Sequence, residues 1–160
     1  MLTKKAKYAL RALSALARNE AGYTQARDIA QDAQVPEKFL ETILVELRNA
    51  CLVESKRGAR GGHRLARPAE QINIGEIIRT IDGPLAPIPC ASHTRYRPCD
   101  DCVDPARCAL RLLMVDVRTA MSDVVDTRTL RDLSEAAGPP RRRTKQVKPA
   151  KPFKPSSEAA

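Results

Sequence analysis

Residues 36–67 read PEKFLETILVELRNACLVESKRGARGGHRLAR, and the hydrophobic period changes in the middle of that stretch. Phe39, Leu40, Ile43, Leu44 and Leu47 recur at three- and four-residue steps, which predicts a helix buried on that side. Pro36 suits its first position, where the missing N–H has no partner to lose. Glu37, Lys38, Glu41 and Thr42 fall on the opposite, solvent side. Beyond Leu52 the pattern becomes extended. LVESKR predicts a strand, GARGG a glycine-rich turn and HRLA a returning strand. A helix therefore runs into a β-hairpin with Arg57, Arg60 and Arg64 at or near its tip. Cys51, at the junction, is expected to be a small buried residue.

Toward the N-terminus, Ala6, Ala9, Leu10, Leu13, Leu16 and Ala17 keep a 3.6-residue period and predict a helix over about residues 3–19. This basic, then apolar start resembles a signal peptide in outline. Arg11 and Arg18 interrupt its apolar part, so it reads as an amphipathic helix. Thr24 is a candidate N-cap for a short second helix carrying Ala26, Ile29 and Ala30. Helix, short helix, helix and hairpin in that order predict a winged helix-turn-helix, with residues 36–49 placed to enter a DNA major groove. The fold class expected is mainly α with one small β-hairpin. Many folds combine three helices and a hairpin without touching DNA. Two details favour DNA here. Short polar side chains stand at the N-terminal end of the third helix, and glycines combine with arginines at the wing tip.

Toward the C-terminus, Asn73 with Glu76 three residues on resembles a capping box opening a helix through Ile81, which Asp82-Gly83-Pro84 stops. After Pro105, Leu110, Leu113, Val117, Ala120 and Val124 alternate steps of three and four. That narrow stripe is a packing seam for another helix. A short helix around Leu130 and Leu133 follows. From Pro139 onward there are seven Lys or Arg against Glu158, so +6 of the formal net charge of +9 lies in that tail. Its composition predicts disorder. It serves either as a solubiliser or as a source of non-specific attraction to phosphates.

Between these helices lies CASHTRYRPCDDCVDPARC, residues 90–108, holding Cys90, Cys99, Cys102 and Cys108, four of the five cysteines. No apolar run approaches the ~20 residues of a membrane span, and a cytoplasmic, reducing compartment makes stable disulfides rare. Four thiols at such spacings suit a zinc site or an iron–sulfur cluster equally. A dithiol enzyme built on Cys99-Asp-Asp-Cys102 is a remote alternative. It needs a depressed thiol pKa, and the two aspartates oppose that. No Ser-His-Asp set, P-loop or paired carboxylate appears, so the chain is not expected to be an enzyme. His93, Asp100, Asp101 and Asp104 read as solvated loop residues.

FLETILVELRNACLVESKRGARGGHRLAR followed by INIGEIIRTIDGP resembles the Rrf-two family (IscR/NsrR-like) of bacterial winged helix-turn-helix transcription regulators. The L-V-x-S-x-R-G-x-x-G-G wing is the specific part, and the resemblance covers roughly residues 1–135. It implies a repressor that binds double-stranded operator DNA as a homodimer, with a long helix at about 105–126 forming the dimer interface. Arg57 matches the wing arginine that enters the minor groove. Glu41, Lys38 and Thr42 match base-facing positions, and Glu37 and Arg60 complete the expected DNA-binding set. The resemblance further implies an iron–sulfur cluster, of two or four irons, that senses iron, redox state or nitric oxide; a regulator with a structural zinc site or with no metal remains the alternative. Cys90, Cys102 and Cys108 match the family's three cysteine ligands. The histidine that serves as fourth ligand in one member falls here on Arg111, which cannot ligate iron, and Cys99 has no counterpart there. Cys99 is the candidate replacement. Many members have Tyr where this chain has His63, and Gly where it has Cys51. The expected organisation is a winged helix-turn-helix domain over residues 1–83 and a cysteine-rich cluster-binding loop over 84–108. A dimerisation helix with a short terminal helix follows over 105–136, then a disordered basic tail over 139–160.

Overall fold

A computed structural model describes residues 2–19, 22–58, 60–102 and 104–136 of the chain, so the basic tail lies outside the described residues. Helices α1 (Lys4–Arg18), α2 (Ala26–Ala33) and α3 (Glu37–Asn49) precede strands β1 (Val53–Lys56) and β2 (Gly62–Leu65). Helices α4 (Ile74–Asp82), α5 (Ala109–Thr127) and α6 (Leu130–Ala136) follow. The expected winged helix-turn-helix is the architecture observed. β1 and β2 pair antiparallel, with Val53 opposite Leu65 and Lys56 opposite Gly62.

α1 is the hub, packing on α2, α3, α4, α6 and β2. Its buried side is rich in small residues, Ala6, Ala9, Ala12, Ala15 and Ala17, which let several helices approach one axis closely. Leu13 and Leu16 fill the space between them and the Leu40, Ile43, Leu44 and Leu47 side of α3. The Thr3 side chain caps α1 by accepting from the Ala6 N–H, and its hydroxyl donates to Asp82, tying the start of α1 to the end of α4. After α5 the chain returns to this core. Leu130 N–H donates to Ile72 O at 2.8 Å and Ile74 N–H to Arg128 O at 2.9 Å, and Leu130 is fully buried.

Several local expectations need correcting. Phe39 is 63% exposed rather than buried. It lies about 90° around the helix from the centre of the arc formed by Leu40, Ile43, Leu44 and Leu47, at an edge that the Tyr8 ring of α1 approaches to 6.3 Å. Cys51 is exposed and adopts φ +56°, so it is not a core residue. Leu52 N–H reaches back to Leu47 O at 2.9 Å, and this helix-ending turn requires a left-handed residue just before it. That turn rotates the Cys51 side chain out to solvent. Thr24 does not cap α2; Gln25 holds that position, and Thr24 is drawn into a backbone bridge with His63. Pro36 precedes the first helical residue of α3. Asn73 caps the Glu76 N–H at 2.7 Å, but the Glu76 carboxylate turns away to Arg67 instead of closing the box.

Candidate nucleic-acid interface and thiol loop

α3 presents its outer side to solvent directly beside the hairpin. Glu37, Lys38, Glu41 and Thr42 are all exposed there, as expected, and none has a hydrogen-bond or ion-pair partner among the described residues. Glu46, nearer α1, is held by Lys5 at 2.7 Å. Arg57 and Arg60 at the wing tip are exposed and likewise unpaired among the described residues. Arg64 behaves differently. It is fixed to Glu54 at 2.7 Å and lies over the Tyr23 ring, so it braces the strand pair. The unpaired positive charge of the wing, among the described residues, therefore resides in Arg57 and Arg60.

The paired glycines have an internal role in addition to shaping the tip. Gly62 has φ +142°, and a Cβ there would lie 2.4 Å from Thr24 O. The resulting close approach lets Thr24 and His63 exchange backbone hydrogen bonds of 2.9 and 2.8 Å. The wing is thus anchored to the segment entering α2, which holds it at a set angle to α3. Burial, and secondarily the charge of Arg48, push the His63 imidazole below its ordinary pKa. Its Nδ1 lies 2.9 Å from Ser55 Oγ, so the ring serves as a neutral brace across the hairpin.

The thiol loop is anchored at its other side. Cys90 is buried in a single 3-10 turn, Pro89–Ala91, packed on α5. Arg111 Nε donates to Cys90 O at 3.0 Å and Arg118 Nη1 to Ala91 O at 3.0 Å. Arg111 also lies over the Tyr96 ring. At the position of the resembling family's histidine ligand, this chain therefore carries a clamp on the loop backbone. Cys99 Sγ approaches Cys90 Sγ to 3.6 Å. Cys102 and Cys108 are half-buried, and Cys108 is the residue on which α5 begins. The Cys99 thiol is pushed up to about 11, first by its hydrogen bond with Cys90, then by burial and the neighbouring Cys90, Cys102 and Asp101 charges. Cys102 is raised by burial first, and next by its interactions with Cys108. Cys99 and Cys102 are thus each opposed in their ionisation by cysteine neighbours in the same loop.

The donor set suits a soft, thiophilic metal. The Cys90–Cys99 separation of 3.6 Å is close to the sulfur–sulfur edge of about 3.8 Å in a tetrahedral centre with ~2.3 Å metal–sulfur bonds. The side chains as placed stop short of a complete coordination array. Among the described residues no three Cys, His, Asp or Glu side chains are grouped so that they could hold a metal ion. His93, Asp100 and Asp101 are exposed, and Asp104 caps the Ala106 N–H at 2.9 Å. The raised thiol pKa values also oppose a dithiol oxidoreductase, which needs thiolate at neutral pH.

α5 has no buried residue. Leu110, Leu112, Leu113, Val117, Met121 and Val124 are 37–62% exposed along it. Its inner side instead meets the cysteine turn and α4, where Arg79 grips Asp126 through two bonds of 2.6 Å. Among the described residues no helix is long and apolar enough to cross a membrane.

Residues 2–136 match a family profile described as Rrf2, iron-dependent transcriptional regulator. The chain is 41% identical over 143 residues to an rrf2-like HTH-type transcriptional regulator of Rhodobacter capsulatus, spanning 87% of this chain and 95% of that protein. Among solved structures it resembles CymR, the global cysteine regulator of Bacillus subtilis. That match has a TM-score of 0.69 and 34% identity, covering 85% of this chain and 97% of the other. IscR of T. potens superposes with a TM-score of 0.67 at 28% identity, covering 86% of this chain and 88% of that one.

Proposed function

Because the chain belongs to the Rrf2 family of transcriptional regulators, we propose that it is a cytoplasmic repressor whose operator affinity is set by an iron–sulfur cluster on its thiol loop. It is a regulator and not an enzyme. α3 lies in the major groove, with Glu37, Lys38, Glu41 and Thr42 toward base edges. Arg57 and Arg60 reach the adjacent minor groove, where a narrow width concentrates negative potential. Two copies pair through the apolar ridge of α5, whose Leu110, Leu113, Val117, Met121 and Val124 stay exposed among the described residues. The pair then presents two recognition helices to half-sites spaced about 34–36 Å apart.

The observation that carries the sensing role is the placement of the thiols. Cys90 and Cys99 lie 3.6 Å apart, with Cys102 and Cys108 on the same loop, which Arg111 and Arg118 fasten to α5. All four would hold the cluster, Cys99 taking the place that a histidine on α5 cannot fill here. An iron–sulfur cluster supplies a centre that offsets the thiolate charges and responds to iron, oxidants or nitric oxide. Bound to a cluster, the four thiolates would be cross-linked and the loop would stiffen against α5. Released, thiols with raised pKa values would take up protons and lose those links. That would free the Cys90 turn to shift against Arg111 and so alter the seating of α5 on α4 and the spacing of the two α3 helices. A modest rotation suffices to break the half-site register.

Purification without oxygen, followed by an absorption spectrum and iron, sulfide and zinc analysis, tests this reading. A coloured protein with matching iron and sulfide is the expected result. A colourless protein holding one zinc per chain would make the loop a structural zinc site and remove the sensor. The 3.6 Å thiol pair suits that single-metal geometry as well.

A further inference from the structure

Phe39, Thr42 and Val45 follow one another at three-residue steps on α3, running from Phe39 at the edge beside α1 to Thr42 and Val45 on the side turned away from the buried arc. Such a row forms an oblique ridge on a helix surface. Phe39 is 63% exposed and Val45 47%, and Thr42 between them is also exposed and carries a methyl group. Single exposed apolar side chains are ordinary. A row of three crossing the outward side of the helix, between Glu41 on one flank and Glu46 on the other, calls for an occupant. The Tyr8 ring lies 6.3 Å from Phe39 at a tilt of 52° and leaves most of that side chain exposed.

We propose that the Phe39–Thr42–Val45 ridge reads the 5-methyl groups of thymines in the operator half-site, and that it adds an apolar specificity element to the polar contacts of α3. The inference rests on the placement of α3 in the major groove. There each base pair presents a distinct pattern, and the thymine methyl is its only apolar feature, one that apolar side chains contact directly. Glu46 is neutralised by Lys5, and the unpaired Glu41 carboxylate can accept from a cytosine amino group beside the methyl. The unpaired Arg57 and Arg60 next to this helix supply the attraction to the duplex. The ridge is continuous with that surface, so the occupant it fits is the floor of the major groove. The half-site is therefore expected to carry at least two thymines within one helical turn of a cytosine.

The test uses the full-length protein and an operator obtained by selection from random duplexes. Each half-site thymidine is replaced singly by deoxyuridine, which removes only the methyl, and affinity is read by fluorescence anisotropy at fixed salt. Burying one methyl-sized group is worth about 0.8 kcal/mol, so each contacted position should lose roughly fourfold. Val45→Ala should weaken the thymidine operator by a similar factor and abolish the deoxyuridine penalty at one position. Phe39→Ala should do so at another. Both residues are exposed, and a circular-dichroism melt confirms that the variants fold. Equal affinity for every deoxyuridine duplex, or a Val45→Ala protein that keeps all the wild-type penalties, would overturn the proposal. Glu41→Ala and Arg57→Ala separate the two readings. If they still impair selection and affinity while methyl removal has no effect, the ridge has another occupant and only this inference fails. If they too change nothing, the placement of α3 on DNA fails with it.

Discussion

Gly75→Ala tests how α5 is fastened to the winged domain. Gly75 is buried in the first turn of α4, and a Cβ there would lie 1.8 Å from Asp126 Oδ1, 2.9 Å from Asp126 Cγ and 2.6 Å from Arg79 Nη1. These atoms form the two-pronged bridge, of 2.6 Å per bond, that joins α4 to α5. The new methyl and the bridge cannot coexist. Because both partners are more than one-third exposed, solvent screening limits the bridge to about 0.5–1 kcal/mol. Replacing glycine by alanine in a helix returns up to about 1 kcal/mol. The two effects nearly cancel, so global stability should change by less than about 1 kcal/mol and the Tm by no more than about 4 °C. Local stability should not be conserved. Backbone amides of α5 should exchange faster in Gly75→Ala, and the same acceleration should appear in Asp126→Asn, with no further effect in the double variant. The acid side gives a second reading. Arg79, chiefly by its hydrogen bond, holds the Asp126 carboxyl below its usual range. The bridge is therefore fully present above the unfolded carboxyl pKa, about 3.9, and is lost as pH falls through the lower folded value. That acid-dependent part should vanish in Gly75→Ala. Unchanged α5 exchange with the acid dependence intact would refute the reasoning. A loss beyond about 3 kcal/mol would show that backbone, not the two side chains, absorbs the clash.

Cys51→Gly should raise the urea midpoint, by about 0.5–1 kcal/mol in stability, because φ +56° suits glycine without strain; an unchanged or lower midpoint would contradict the strained helix stop. Arg57→Ala should lower operator affinity about tenfold with fold and dimer unchanged, measured by anisotropy at fixed salt, and wild-type affinity would exclude its minor-groove role. Glu41→Ala should relax sequence preference more than affinity; uniform weakening across operator variants would count against a base contact. Cys90→Ala, Cys102→Ala and Cys108→Ala should each lose iron on anaerobic reconstitution, and Cys99→Ala should give a labile cluster or altered spectrum, while Cys51→Ala keeps full iron. Normal reconstitution of Cys99→Ala would assign the fourth ligand elsewhere, and iron loss in Cys51→Ala alone would overturn the ligand set.

The local patterns were enough to place nearly every element. The 3.6-residue period of α1 and α3, the turn glycines between β1 and β2, and the Asn73 cap act over a few residues, and the chain carries them without help from distant contacts. The α5 stripe was legible for the same reason, and it stays exposed because no other element among the described residues covers it. Side-chain surroundings were another matter. Phe39 shares the apolar character of Leu40, and only the position of α1 decides that one is buried and the other is not. Cys51 looks like a core residue until the reach of Leu52 back to Leu47 demands a left-handed turn. The role of Gly62 depends on Thr24, 38 residues earlier in the chain. Arg111 is recognisable in sequence only as a residue that cannot bind iron; its grip on the Cys90 carbonyl exists because the cysteine turn folds back onto α5. Sequence period determines which side of an element faces inward. Which neighbour it meets there, and at what distance, is set by long-range packing that no local pattern encodes.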